Sequence, residues 1–300
     1  MDIVNKIKEL KKKHNAIILA HTYQRAEVQD IADFVGDSLE LSLRARDNSA
    51  DLIVFCGVRF MAETAKIISP NKKVLLTEVA AGCPMAEMIS ADELRELKAK
   101  YPTYKVVTYV NSTAEVKALS DICCTSSNAV RVVSSIPQEQ GVIFVPDTNL
   151  GSYVQRTLKR DNMVVWQGHC YVHSQIMEED VLALKKLHPN AIVLAHPECS
   201  EHVLKHANHV LSTSGMIKKV EEIKAEEFIV ITEQGILHPL NKKYPNKKFY
   251  SIDRALCLNM KKTTVESVLN SLELMRYSIE VPRDVMESAK RAVFNMLELK

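Results

Sequence analysis

Three of the seven cysteines recur at one interval: Cys83, Cys170 and Cys257 each stand 87 residues from the next. The sequence between them repeats with the same period, and such self-similarity indicates one structural unit that is used three times. Each unit supplies one thiol, so a symmetric arrangement of the units can deliver three thiols to a single axis. We therefore expect a shared metal or iron–sulfur centre rather than three unrelated buried thiols.

Each repeat contains three short apolar runs that are rich in β-branched residues, a pattern typical of buried parallel strands. Helical stretches separate the runs, and crossovers through helices favour parallel pairing. The predicted strands lie at 16–20, 52–55 and 74–76 in the first unit, at 105–108, 142–145 and 163–166 in the second, and at 191–195, 228–231 and 249–252 in the third. A matching seven-residue stretch is expected to end the first helix of each unit, at 32–38, 120–126 and 207–213.

The predicted fold is α/β, with three pseudo-threefold-related parallel-sheet αβα domains around a central cavity. We place the domains at 1–100, with an N-terminal helix, at 101–187, and at 188–300, with a C-terminal helical segment. Ligands of open parallel sheets bind beyond the carboxyl ends of the strands, where the repeated cysteines lie. The alternative is a tandem array with three separate sites, but a lone thiol is a poor metal site.

Composition excludes several classes of function. The chain has 300 residues, 46% of them hydrophobic, and a net charge of +2 with interspersed acids and bases, so no nucleic-acid or membrane surface is predicted. No apolar run approaches the roughly 18 residues that cross a bilayer. Residues 1–14 form an amphipathic pattern without the features of a signal peptide. We therefore expect a cytoplasmic protein whose cysteines are thiols or ligands rather than disulfides.

Two sets of polar residues recur with the repeat. Ser38, Ser126 and Thr213 precede helical stretches as N-caps or first-turn residues, a position that also suits carboxylate or phosphate groups. A single such residue is usually only a cap, but three around one cavity favour a ligand with several anionic groups. The strand ends supply groups for acid/base chemistry, although any one of them alone would be read as a half-buried side chain. They are His21, Tyr109 and His196 and, two residues later, Tyr23, Asn111 and Glu198.

None of the three repeated cysteines belongs to a CxxC pair, which disfavours a closed four-cysteine zinc site. Three thiolates on a 4Fe-4S cluster would leave one iron without a protein ligand, free to bind substrate as a Lewis acid. Three thiolates with His169 or His173 could instead bind zinc. The other cysteines have no equivalents between units and are expected to be buried apolar thiols; they are Cys56, Cys123, Cys124 and Cys199.

Seven motifs along the chain resemble the quinolinate synthase family, the iron–sulfur enzymes of NAD biosynthesis. They are AHTYQ at 20–24, IADFVGDS at 31–38, GCPMA at 82–86, YVNS at 109–112, GHCYVH at 168–173, HPEC at 196–199 and CLNMK at 257–261. The resemblance implies three pseudo-symmetric α/β domains and a 4Fe-4S cluster held by Cys83, Cys170 and Cys257. It further implies that iminoaspartate condenses with dihydroxyacetone phosphate to give quinolinate, with loss of phosphate and water, and it suggests a functional link to L-aspartate oxidase or aspartate dehydrogenase.

The same resemblance implies roles for single residues. Tyr23, Tyr109 and Glu198 would take part in proton transfers. The substrates would be bound by His21, Ser38, Tyr109, Val110, Asn111, Ser126, His196, Pro197, Glu198 and Thr213. Two features depart from the family pattern: Thr22 stands where relatives often have Asn, and the chain lacks the C-terminal CxxC of some members. Two other readings stay open at this point, a zinc-dependent lyase or hydrolase and a non-catalytic cluster-bearing or metabolite-binding protein.

Overall fold

Three four-stranded sheets, all parallel, form the framework of the protein, as the predicted fold class requires. The computed structural model describes residues 2–299; Met1 and Lys300, the outer limits of the first and third predicted domains, lie outside the described residues. The strands are β1 Ala16–His21, β2 Phe34–Gly36, β3 Leu52–Cys56, β4 Lys73–Leu76, β5 Lys105–Tyr109, β6 Ile122–Cys124, β7 Val142–Val145, β8 Met163–Val165, β9 Ile192–Ala195, β10 His209–Val210, β11 Glu227–Ile231 and β12 Lys248–Tyr250. Their orders are β2-β1-β3-β4, β6-β5-β7-β8 and β10-β9-β11-β12.

Each sheet has one strand more than predicted, because the stretch expected to end the first helix contains an edge strand. A side chain starts this strand. Asp33 Oδ2 accepts a hydrogen bond of 2.7 Å from Ile18 N, and Asp33 N donates to Ile18 O at 2.9 Å. Asp121 and Asn208 make the same pair of bonds in the other two units. The three stretches therefore match in sequence because each begins an edge strand in the same way. The strands were not predicted because they are too short to show the alternation of apolar and polar residues that marks a strand.

Helices flank the sheets. They are α1 Ile3–Lys13, α2 Ala26–Ile31, α3 Ser38–Arg46, α4 Arg59–Ile68, α5 Ala91–Lys100, α6 Ala114–Ala118, α7 Ala129–Ser134, α8 Thr148–Leu158, α9 Tyr171–Ser174, α10 Glu178–Leu187, α11 Glu201–Leu204, α12 Thr213–Glu222, α13 Leu237–Lys243, α14 Val265–Leu274 and α15 Arg283–Glu298. Three 3-10 turns lie at Pro84–Glu87, Gln234–Ile236 and Met260–Lys262. Across residues 2–299, no helix combines the length and the apolar character that a membrane span needs.

The last two helices pack away from the third sheet. Helix α14 packs on α1, and α15 lies against α4, α6 and strand β6. The buried residues of α15 are Ala289, Ala292, Val293 and Met296, the spacing of one helix face. The C-terminal segment that we assigned by sequence to the third domain thus covers the first two units, and the domain limits themselves remain a prediction.

The role of the side-chain hydrogen bond that begins each edge strand can be tested in the second unit. Asp121→Ala removes the acceptor for Val106 N and should lower the free energy of unfolding by about 1 kcal/mol, the usual worth of one hydrogen bond. Asp121→Asn keeps an acceptor oxygen and loses only the exposed pair with Lys105, so its urea midpoint should stay close to that of the wild type. Equal loss in both variants would contradict this role.

Candidate metal centre and active site

The carboxyl ends of the three sheets face one cavity, so the tandem array with three separate sites is wrong. Strand-end, helix-start and cysteine-loop residues of all three units line it. The residues predicted for the site that line the cavity are His21, Tyr23, Ser38, Cys83, Tyr109, Asn111, Ser126, Cys170, His196, Glu198, Thr213 and Cys257. Val110 and Pro197, also predicted, are buried beside these residues but are not part of the lining.

One backbone hydrogen bond, present in every unit, brings the cysteine loop to the cavity. In each unit, the first residue of the helical segment after β3, β7 or β11 donates its N–H to the carbonyl two residues before the cysteine. The three bonds are Arg59 N to Ala81 O (2.9 Å), Thr148 N to Gly168 O (2.7 Å) and Gln234 N to Ala255 O (2.9 Å). The approach is closest in the second unit, where a Cβ on Gly168 would lie 2.5 Å from Pro146 O.

The surroundings of the three thiols suit metal-bound thiolates. Each cysteine precedes a short helical turn, and backbone N–H groups two or three residues after it lie near its sulfur and favour the thiolate. The donors are Met85 and Ala86 for Cys83, His173 for Cys170, and Asn259 and Met260 for Cys257. Burial raises the pKa of all three, that of Cys83 to about 12, and neighbouring thiols add to the rise at Cys83 and Cys170. A metal overcomes such a rise because coordination deprotonates the thiol.

The remaining cysteines behave as the sequence predicts. All seven cysteines are free thiols, and four of them are fully buried within the sheets and their flanks: Cys56, Cys123, Cys124 and Cys199. His169, one of the two histidines considered as a fourth ligand, is exposed and does not line the cavity. His173 does, and ligand atoms of Cys170, His173 and Glu198 lie within 4.8 Å of one another. A single metal ion could therefore use this smaller set.

A chain of polar groups connects two of the predicted acid/base residues across the cavity. Tyr23 Oη lies 2.7 Å from Thr232 Oγ1 and 3.0 Å from Thr213 Oγ1. Thr232 Oγ1 in turn lies 2.8 Å from His173 Nε2. His173 Nδ1 is 2.7 Å from Glu198 Oε2, although the two are not aligned as a regular hydrogen bond. Sequence reasoning missed Thr232 and saw His173 only as a zinc ligand, because neither belongs to a recurring column.

His21 and His196 have the same local geometry in the first and third units. The Nδ1 atom of each ring accepts a hydrogen bond from the backbone N–H two residues later, at 3.1 Å from Tyr23 and 3.3 Å from Glu198. The proton of each neutral ring therefore sits on Nε2, and His196 Nε2 lies 3.1 Å from Ser126 Oγ. Burial lowers the pKa of His21 to about 4 and that of His196 to about 3, so both are neutral donors at pH 7.

The other predicted acid/base groups have fixed charge states at neutral pH. Burial and the charge of Glu198 raise the pKa of the Tyr23 and Tyr109 hydroxyls well above the ordinary value, so both stay protonated. Burial also opposes ionisation of Glu198, but the His173 ring and a hydrogen bond donated by the Tyr109 hydroxyl outweigh it and lower the pKa of Glu198 to about 2. The cavity thus presents two hydroxyl donors and the ionised Glu198 carboxylate.

The column predicted to bind anions differs from expectation in one unit. Ser38 and Thr213 are the first residues of α3 and α12, whereas Ser126 lies in a turn before α7 and neither caps nor enters that helix. The cap of α3 is Asp37, whose Oδ1 accepts hydrogen bonds from two first-turn N–H groups. The helix start is therefore occupied by a carboxylate of the protein itself. Among the described residues that line the cavity there is no Lys or Arg, so anionic groups must be bound by hydroxyl and imidazole donors.

Fold and site together define a three-unit α/β protein with a cysteine-lined centre beside acid/base groups. The family model described as "Quinolinate synthetase A protein" matches residues 5–298. The chain is 51% identical to the quinolinate synthase of Caldicellulosiruptor saccharolyticus over 99% of its length and 98% of the relative, and 52% identical to quinolinate synthase 2 of Methanosarcina acetivorans over 99% and 96%. The quinolinate synthase of Thermodesulfovibrio yellowstonii is 50% identical over 99% and 98%. The chain belongs to the quinolinate synthase family and is an enzyme.

The lowered pKa of the two histidines predicts a pH dependence of stability. Between the ordinary pKa of 6.5 and about 4, the unfolded chain binds more protons than the folded chain. Stability should fall as the pH drops through this window, by at most about 3 kcal/mol for each ring. His21→Asn and His196→Asn should each reduce the difference between urea midpoints at pH 7 and pH 5, whereas the exposed control His202→Gln should not. An unchanged difference in both variants would contradict the burial effect.

Proposed function

We propose that this enzyme condenses iminoaspartate with dihydroxyacetone phosphate to give quinolinate, with loss of phosphate and water, in the cytoplasmic synthesis of NAD. The observation that carries the proposal is the meeting of three thiols and the acid/base groups in one cavity of a quinolinate synthase chain. L-Aspartate oxidase or aspartate dehydrogenase is the partner reaction that would supply the imine.

Cys83, Cys170 and Cys257 would hold a 4Fe-4S cluster. Three free thiols with backbone N–H groups near their sulfurs fit this group, because such hydrogen bonds are among the features that tune protein-bound clusters. Tyr171 adds a hydroxyl 3.7 Å from Cys257 Sγ. When bound, the cluster supplies a Lewis-acidic iron without a cysteine ligand, which can polarise a substrate oxygen.

Neutral hydroxyl and imidazole donors, together with the side-chain amide of Asn111, would bind the substrates. Ser38, Ser126 and Thr213 present hydroxyls to the carboxylate and phosphate groups, and the Nε2–H group of His21 adds a further donor. The Nε2–H group of His196 lies 3.1 Å from Ser126 Oγ and orients that hydroxyl. Hydrogen bonds to ionised acceptors are stronger than those between neutral groups, which offsets the absence of a cation among the described lining residues.

Asn111 is positioned to bind a donor of the substrate. Its Oδ1 is buried and has no protein partner among the described residues, although the side chain lines the cavity. An unpaired buried oxygen is costly in the free enzyme, so a substrate N–H or O–H that reaches it gains a full hydrogen bond. The imine nitrogen or a hydroxyl of the triose suits this position.

Proton transfers are assigned to the groups whose charge states the cavity fixes. Tyr23 and Tyr109 keep their hydroxyl protons and donate to developing negative charge on substrate oxygens. Glu198 is ionised and accepts, and no hydrogen bond of regular geometry reaches its Oε1. Thr232 and His173 link Tyr23 to Glu198 and hold both side chains in the orientation that the transfers need.

Metal content and activity of one sample test the proposal. Cys83→Ala, purified without oxygen, should lose cluster iron and sulfide and at least about a hundredfold in quinolinate formation, because a shared centre cannot form on two thiolates. The matched control Cys56→Ala removes a buried thiol outside the cavity and should keep both. An intact 4Fe-4S spectrum with full activity in Cys83→Ala would refute the assignment.

Zinc is the second candidate, favoured by the proximity of Cys170, His173 and Glu198. The two candidates differ in metal content and colour, because zinc is colourless and an iron–sulfur cluster is brown. Stoichiometric zinc without sulfide in active protein would decide for the smaller site.

The polar chain gives a separate prediction. Thr232→Val preserves the shape of a fully buried side chain but removes the hydroxyl between Tyr23 and His173. We expect kcat to fall by about tenfold to a hundredfold with little change in KM, as for loss of an oriented acid/base group. Thr232→Ser keeps the hydroxyl and should retain most of the activity. Equal kcat in Thr232→Val and Thr232→Ser would show that the link has no role.

A further inference from the structure

Two buried carboxylates that belong to no predicted column contact the loops that carry the thiols. Asp147 directly precedes α8, and its Oδ2 accepts a hydrogen bond of 3.2 Å from Cys170 N. Glu233 directly precedes the 3-10 turn Gln234–Ile236, and its Oε1 accepts one of 3.1 Å from Cys257 N. Both side chains are 0% exposed. The contact therefore recurs at the same structural position in the second and third units.

Each carboxylate joins two backbone segments. The second oxygen of Asp147 accepts from Leu150 N at 2.6 Å, and that of Glu233 accepts from Gly235 N at 2.7 Å. One oxygen thus holds the start of the helical segment and the other holds the cysteine loop. A carboxylate has two acceptor oxygens, whereas the amide of Asn or Gln has one. An amide can keep only one of the two bonds.

The first unit has no carboxylate at this position. Val58 directly precedes α4, the place that Asp147 and Glu233 occupy in their units, and has no polar side-chain atom. The backbone bond from Arg59 to Ala81 is kept there. The loop of Cys83 is consequently held in a different way from the other two loops.

We propose that Asp147 and Glu233 are positioning residues that fix the backbone of Cys170 and Cys257, so that these two thiols are preset for the shared centre while the Cys83 loop adjusts to it. This inference rests on the proposed role of the three cysteines as metal ligands. Its physical basis is local: a hydrogen bond from the cysteine N–H to a rigid, buried acceptor restricts the rotation that would carry the thiol out of the cavity.

Residue-resolved alkylation of the full-length, metal-free chain tests the proposal. The variants are Asp147→Asn and Glu233→Gln, and the rate at each cysteine is read by mass spectrometry. We expect Asp147→Asn to speed modification of Cys170 by roughly fivefold, the shift in an opening equilibrium that follows loss of one hydrogen bond. Glu233→Gln should speed modification of Cys257 by at least as much, because it also removes the charge that pairs with Lys261 Nζ at 2.9 Å. Cys83 is the internal reference, and its rate should not change in either variant.

Two results would overturn the inference: no change at the paired cysteine, or an equal rise at all three, which is the behaviour of general destabilisation. A smaller rise at Cys257 in Asp147→Asn agrees with it, because Tyr171, next to Cys170, contacts Cys257 Sγ. In the metal-loaded enzyme, both variants should release metal to a chelator faster than the wild type. If the wild type binds no metal, the proposed centre fails, whereas the alkylation pattern still tests the positioning.

Discussion

The bond from the start of the helical segment after β3, β7 or β11 to the loop before each cysteine is the contact on which the site depends. It joins Arg59 to Ala81 in the first unit and recurs in the other two. Because it is made by the backbone, it survives divergence of the repeats, and it brings the cysteine loop of each unit to the cavity. Three parallel sheets whose carboxyl ends face each other then bring three thiols to one cavity. The acid/base residues reach the same cavity because they also follow the carboxyl ends of strands.

The chemistry of the cavity follows from the burial of its polar groups and from a lining that has no Lys or Arg among the described residues. His21 and His196 are neutral because burial opposes their protonation, and the backbone N–H groups that bond to Nδ1 set the proton on Nε2. Tyr23 and Tyr109 stay protonated for the same reason. The site therefore offers its hydroxyl and imidazole groups as neutral donors, which agrees with the anionic substrates that we propose.

The sequence predicted the repeated elements that carry a clear apolar pattern, and it missed very short strands and contacts outside the repeat. The apolar runs and the equal cysteine spacing were sufficient for nine of the twelve strands and for a single cavity. The edge strands escaped because they are two or three residues long and a side chain such as Asp33 begins them. Thr232 escaped because its partner Tyr23 is 209 residues away. Asp147 and Glu233 were missed because the equivalent residue of the first unit is Val58, so the three repeats share no polar residue at this position. The packing of α15 on the first two units was missed because it leaves no pattern in the sequence.

In the proposed centre, three thiols hold a cluster and one iron is left for substrate. Mössbauer spectroscopy of anaerobic protein loaded with the isotope 57Fe, recorded with and without added quinolinate, distinguishes that iron from the others. We expect a 4Fe-4S spectrum in which about one quarter of the iron signal changes when the product binds, because one iron has no cysteine ligand. A spectrum in which no iron responds, or a sample that holds zinc and no sulfide, would contradict it.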